Sequence, residues 1–313
     1  MNNYLCASKM ICIDENLYFI GDLNGYIGEI EVETGKTSFF TNIPDFIMRN
    51  DAYNHLFFEY NSKIVILTSD GKKLVIFNPL SREFDVINCK TSNEIKGDWA
   101  GAFIRNDKIY AFFRECGVVY IFDLIERKMQ ETNTGINEKI LWVCEENDEI
   151  VALSWDCKSL FLFNLNFDNK GIHITKKLKT DIKNKNGKIA VHCIKRKDRF
   201  IYLMNSSKVY KYDLNTDELQ IIYSSLHADN GSRMIVTNDL IIIPPYREDK
   251  FFLVKNDGEL SQTIEIPYNV TFGNEWEGSK TGLPFENSDY FFFPLMDADS
   301  MLLIEKETLK FRW

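Results

Sequence analysis

Three tryptophans sit directly beside carboxylates: Trp99 follows Asp98 in GDWAG, Trp276 lies between Glu275 and Glu277 in NEWEG, and Trp155 precedes Asp156 in SWDC. An indole next to a carboxylate suits stacking on a sugar ring or capture of a cation or peptide. The other role for such a tryptophan is packing, with its acidic neighbour serving the turn. Arg49, Arg114, Arg233 and Arg247, with Tyr246, lie in the irregular stretches between apolar runs. A guanidinium there holds carboxylate or phosphate through a rigid fork of donors. Catalytic patterns are sparse. Of the histidines His55, His173, His192 and His227, none has a metal-ligand spacing, and His227 is the one best placed for acid–base work. Asp98 and Glu275 are the weak acid–base candidates beside it. Cys116 stands near Arg114, but one neighbouring cation is a thin reason to expect a thiolate. GxSxG, P-loop and calcium-loop patterns are absent, so no metal or cofactor is expected.

Bulk properties narrow the classes. The formal charge is −9, against a general nucleic-acid binder, which needs clustered Lys and Arg. The one basic stretch, from Lys170 to Lys188, reads as a solvated strand and loop. Seven scattered cysteines with no CxxC spacing read as reduced intracellular thiols. MNNYLCASKMICIDEN has no basic region followed by an apolar core, and no run approaches the ~18 apolar residues of a membrane span. These features predict a soluble, cytoplasmic chain, a monomer with no membrane or nucleic-acid partner.

What positions the candidate residues is a repeat. Asp14, Asn61, Asn106, Asn147, Asp198, Asn238 and Asn287 each open a short polar turn before a strongly apolar run, at successive spacings of 47, 45, 41, 51, 40 and 49. A period in the forties built of short strands signals a β-propeller or a related array. The clearest copy, Gly101 to Thr132, parses as four strands: one ending at the Asn106-Asp107 turn, Ile109 to Phe113, Val118 to Phe122, and Met129 to Thr132. No segment has helical periodicity. The prediction is all-β: one propeller domain over 1–313, with seven four-stranded blades near 8–41, 51–88, 99–132, 140–175, 188–223, 232–266 and 276–313. It closes without a blade shared between the termini. Six blades plus a divergent last unit is the alternative, because residues 268–287 are a long, irregular lead-in.

In four units an aromatic followed by Asp or Asn ends the third strand: Phe77-Asn78, Phe122-Asp123, Phe163-Asn164 and Tyr212-Asp213. This ending resembles the third strand of Kelch-type and quinoprotein-type (PQQ-type) propeller repeats, and Glu33-Thr34-Gly35-Lys36 resembles the turn that follows it in the latter. The Kelch double glycine and the Gly-His and Trp-Asp pairs of WD40 repeats are missing. The resemblance implies a fold and no particular activity.

In similar propellers the connections into each first strand and those between second and third strands crowd one mouth of a central channel. That mouth would collect Arg49, Trp99, Arg114, Trp155, Arg233, Tyr246, Arg247 and Trp276 as ligand-binding residues, with Asp98, His227 and Glu275 as the catalytic set. The expected function is a non-catalytic binding propeller for a peptide, a protein or a small polar ligand such as a sugar. The alternative is a lyase, hydrolase or cyclase working on a carbohydrate or peptide in the channel. Replacing Trp99 or Arg233 by Ala is expected to abolish binding while leaving folding intact.

Overall fold

The structure is a computed structural model that describes residues 7–13, 16–21, 26–31, 36–43, 56–68, 71–90, 99–115, 117–146, 149–164, 172–180, 182, 191–205, 207–224, 233–245, 249–268, 281, 284–295 and 301–313. These residues form seven antiparallel sheets, each of four consecutive strands paired in sequence order, the blades of a β-propeller. The blades span 7–42, 56–88, 99–133, 140–179, 193–223, 235–265 and 285–312. The seventh is complete, so the six-blade alternative falls. Among the described residues there is no helix, and hence none long and apolar enough to cross a membrane.

Burial explains why apolar runs replace the alternation of a one-sided sheet. In blade 3 the second strand (Lys108–Phe113) and the third (Val118–Asp123) are buried at nearly every position. Neighbouring blades cover both of their faces, and a strand covered on both faces is apolar throughout. The fourth strand, Lys128–Asn133, alternates half-buried and exposed residues and is correspondingly polar.

Seven apolar clusters fill the seven interfaces between blades. The one that closes the ring brings Met10, Leu17, Phe19 and Ile30 of blade 1 against Phe292 and Leu303 of blade 7. Among the described residues no strand is exchanged between these two blades, and side-chain packing joins them. The first strands of blades 3 and 4 approach closely at Gly101, where a Cβ would stand 2.7 Å from the Val143 carbonyl oxygen.

The repeated Asn and Asp residues join the first strand of each blade to the second. Asn61-Ser62 and Asn106-Asp107 are two-residue turns with φ of 51°, 56°, 47° and 58°. Both central residues are therefore left-handed, the geometry that matches strand twist and that Asn and Asp tolerate. Asp198 has φ 51° in the same place. Blades 6 and 7 use a different device. Thr237 Oγ1 accepts the Leu240 N–H at 2.9 Å, and Asn287 Oδ1 accepts the Tyr290 N–H at 2.8 Å. Asp14 and Asn147 lie outside the described residues, as does the 33–35 part of the first blade's last turn.

The third-strand endings also have a cause. Asp123 Oδ1 accepts the Ile125 and Glu126 N–H groups at 3.0 and 2.8 Å, and Asn78 Oδ1 accepts that of Leu80 at 3.0 Å. These bonds hold the Asp123 carboxyl below the usual carboxylate range: the Glu126 N–H lowers it most, burial opposes, and Lys108 adds to the lowering. Each turn then passes through a left-handed residue, Arg82 in blade 2 and Arg127 in blade 3, before the fourth strand begins.

Candidate functional site

Up-and-down pairing fixes which loops meet. The start of each first strand and the end of each second strand lie at the same mouth, opposite the Asn/Asp turns. Two neighbouring first strands begin there with a β-bulge, the pairing shifting between Ile140 and Trp142 in blade 4 and opposite Phe112 and Phe113, at Trp99, in blade 3. A bulge re-aims side chains locally. In blade 4 it sends both Leu141 and Trp142 toward blade 5, whereas Ile140 packs with blade 3.

Trp142 is the centre of the site. Its indole Nε1 donates to the Val191 carbonyl of blade 5 at 3.0 Å. The Arg114 guanidinium stands 5.4 Å from the Trp142 ring and 5.5 Å from that of Trp155, while Arg233 stands 5.1 Å from Trp142. The backbone pins these groups: the Ile140 N–H donates to the Arg114 carbonyl at 2.9 Å and the Trp155 N–H to that of Lys139 at 2.8 Å. Arg114 Nη2 also donates to the Trp99 carbonyl at 3.4 Å. Cation–π contacts of this kind contribute about 0.5–2 kcal/mol each, more where water is excluded. Trp155 is 38% exposed.

The electrostatics favour an incoming anion. Burial lowers the Arg233 pKa; the neighbouring Cys193 thiol works against this, and the like charge of Arg114 adds to it. A guanidinium remains protonated under such shifts, so the site carries two cations around one indole. Among the described residues no carboxylate pairs with Arg233. Two acids adjoining the site among the described residues are engaged elsewhere. Glu115 forms an ion pair with Lys139, and Asp156 accepts Ser154 Oγ at 2.7 Å and Lys158 N–H at 3.0 Å. Burial alone would raise the Asp156 carboxyl, but those bonds and the Lys158 ammonium hold it below its ordinary value.

Two thiols adjoin the cluster. Burial pushes Cys144 up to about 12 and also raises Cys193, for which the opposing pulls of Lys195 and Arg233 are insufficient. Both stay protonated at neutral pH and are poor nucleophiles. Among the described residues no group of three His, Cys, Asp or Glu side chains is arranged to hold a metal ion.

The expected mouth residues therefore divide. Arg114, Trp155 and Arg233 come together. Trp99 does not present its ring to the mouth: it is 6% exposed, donates its indole N–H to the Thr68 carbonyl at 3.2 Å, and meets Phe113 and Tyr120 edge to face. It wedges blade 3 against blade 2, so the expectation that Trp99→Ala spares the fold is corrected. Arg49, Asp98, His227, Glu275, Tyr246, Arg247 and Trp276 lie outside the described residues, as does Cys116. Trp142 does not stand out in the sequence as a site residue, because in ILWVCEE it lies between Leu141 and Val143 with no adjacent carboxylate. The usable signal is its place near the start of a first strand, two residues beyond the position that Trp99 holds in blade 3.

No protein-family model matches the chain, and no curated protein matches it by sequence. Solved structures match across almost its whole length. A catalytically inactive virginiamycin B lyase from Staphylococcus aureus, solved with quinupristin, gives a TM-score of 0.68 at 9% identity, covering 95% of each chain. The computationally designed Ika8 protein gives 0.64 at 6% identity, covering 99% of this chain and 87% of its own. PorZ, a surface component of the type-IX secretion system of Porphyromonas gingivalis, gives 0.61 at 15% identity, covering 96% of this chain and 36% of that one. At these identities the likeness is one of fold. The neighbours include an enzyme and larger surface proteins.

Proposed function

We propose that the chain is a non-catalytic binding propeller whose mouth holds a peptide, a protein or a small polar ligand through an anionic group. One observation carries this reading: Arg233 lies on the Trp142 ring, next to a second guanidinium, with no carboxylate partner among the described residues. A guanidinium placed in this way offers its fork of donors to a carboxylate or phosphate. Trp142 and the exposed Trp155 supply flat surface for the remainder of the ligand, in the manner of aromatic anchors in recognition sites. The protonated Cys144 and Cys193 supply no nucleophile, which favours binding over chemistry at this cluster.

The reading extends to a monomer and to a cytoplasmic protein, the latter supported by the Cys144 and Cys193 thiols, which form no disulfide. It also extends to kinship with Kelch-like or quinoprotein-like repeats, supported by the turn bonds of Asn78 and Asp123.

Calorimetric titration with acidic peptides, small carboxylates and phosphate esters tests the function. Saturable binding that Arg233→Ala weakens, with the ligand recovered intact by mass spectrometry, is the expected result. Binding indifferent to Arg233→Ala overturns the site, and recovery of a converted ligand favours a propeller lyase, hydrolase or cyclase.

A further inference from the structure

Blades 4 and 5 part at the face opposite the mouth, between their first turns, and leave a cleft of about 410 Å³. That volume lies within the ~300–1,000 Å³ of small-molecule sites. Arg196 of blade 5 forms its wall. The side chain is 6% exposed, Nη2 pairs with Glu149 across the interface, and Nε donates to the Asp198 carbonyl at 3.1 Å. Its Nη1 is buried and has no hydrogen-bond partner among the described residues. An N–H buried without an acceptor is costly, and one on a charged group more so. An acceptor brought by a ligand would remove that cost.

The chemistry of the rest of the lining selects the ligand. Glu146 is held by Lys197 at 3.3 Å and by the Asp198 N–H at 2.6 Å, Lys176 pairs with Asp217 at 2.7 Å, and Arg199 pairs with Asp213 at 3.4 Å. An ionic ligand would compete with these pairs, whereas a neutral one leaves them in place. Carboxylate oxygens and a guanidinium N–H side by side accept from and donate to hydroxyl groups. Leu162 and Leu214 complete the lining with apolar surface that suits the C–H face of a ring.

We propose that the cleft between blades 4 and 5 is a binding site for a neutral saccharide, in which Arg196 Nη1 donates to a ring or hydroxyl oxygen. The site stands apart from the Arg233 mouth and does not depend on it.

Saturation-transfer NMR and calorimetry on the full chain test this with glucose, maltose, cellobiose and N-acetylglucosamine, using glutamate and inorganic phosphate as charged comparators. The expected result is saturable binding of at least one saccharide in the millimolar range or tighter. Arg196→Lys keeps a positive charge opposite Glu149 but has no Nη1, and should weaken that binding about tenfold or more. Asn215→Trp, which fills the cleft from its rim while leaving the Arg196–Glu149 pair in the sequence, should do the same, and it carries the test if Arg196→Lys fails to fold. Arg233→Ala should leave saccharide binding unchanged. Absence of saccharide binding by the folded protein, binding that survives Asn215→Trp, or a preference for glutamate or phosphate at this cleft overturns the proposal.

Discussion

The Arg233 guanidinium lies 5.1 Å from the ring of Trp142, although one residue opens blade 6 and the other belongs to blade 4. The contact therefore passes the start of blade 5, whose Val191 carbonyl holds the Trp142 indole N–H. Three consecutive blades contribute to one cationic, aromatic spot, and Arg114 of blade 3 adds a fourth. No single repeat contains this arrangement; it exists only when the ring is assembled.

Arg233→Ala separates ligand binding from stability. A hydrogen bond between charged partners contributes about 1.5–3 kcal/mol, so affinity for an anionic ligand should fall roughly 10- to 100-fold. The fold should lose no more than the ~0.5–2 kcal/mol of the Trp142 contact, because no described carboxylate pairs with Arg233. Calorimetric titration beside a thermal melt reads both quantities. A large drop in melting temperature would instead assign Arg233 to the scaffold.

Trp99 and Trp155 should behave oppositely, despite their similar sequence settings. Trp99 is buried, with its N–H satisfied by Thr68 and two aromatic rings at its edge. Trp99→Ala should cost about 3–5 kcal/mol, the range for a large aromatic deleted from a core. Trp155 is partly exposed and touches Arg114. Trp155→Ala should cost no more than about 1 kcal/mol in stability while weakening ligand binding. Denaturant unfolding of both variants, read with one binding assay, decides the comparison.

The scaffold was legible because its signals are local. A turn through left-handed Asn106-Asp107, a run such as Ile109 to Phe113 buried on both faces, and an Asp123 that accepts two turn N–H groups are each written within a few neighbouring residues. Topology then placed Arg114, Trp155 and Arg233 at one mouth, and they do meet. What sequence could not separate was the orientation of an indole at the start of a first strand. Trp99 pairs with Phe113 and corresponds to Ile140, whereas Trp142 pairs with Leu153 and corresponds to Gly101, on the other side of the bulge. Trp99, like Ile140, therefore turns into the interface with the preceding blade and Trp142 toward the following one, a difference set by strand pairing in the assembled ring and marked by no residue type. The cleft beside Arg196 was invisible for the same reason, since its walls come from two blades.

Cys144 gives the fold an alkaline weakness. Its thiol stays protonated in the folded chain up to about 12, against 9.0 when unfolded, because burial disfavours the thiolate. The unfolded chain releases its proton first as the solution becomes alkaline, so stability from this group is complete below 9.0 and declines between 9.0 and about 12. Tyr202, also raised to about 12 by burial, from 10.0, declines over the upper part of the same window. Thermal melts across this range should show a falling midpoint, and Cys144→Ala should flatten the fall. An unchanged slope in that variant would remove Cys144 as the cause.

The turn at Asn61-Ser62 offers a gain in stability. Ser62 has φ 56°, a left-handed conformation that costs an L-residue roughly 1–2 kcal/mol, whereas glycine adopts it freely and gives back about 0.5–1 kcal/mol in chain entropy. The Ser62 side chain is exposed, and the bond its backbone N–H donates to Glu59 at 3.0 Å survives the change. Ser62→Gly should therefore stabilise the protein by about 0.5–1 kcal/mol and produce the Asn-Gly pair that this turn geometry favours. Asp107, at φ 58° in the equivalent place of blade 3, differs because its carboxylate accepts Tyr60 Oη at 2.6 Å from blade 2. Asp107→Gly gains the same backbone relief but loses that contact between blades, so its net effect should fall below that of Ser62→Gly. Denaturant midpoints of the two variants measure the difference, and equal gains would show that the Tyr60 bond contributes nothing to stability.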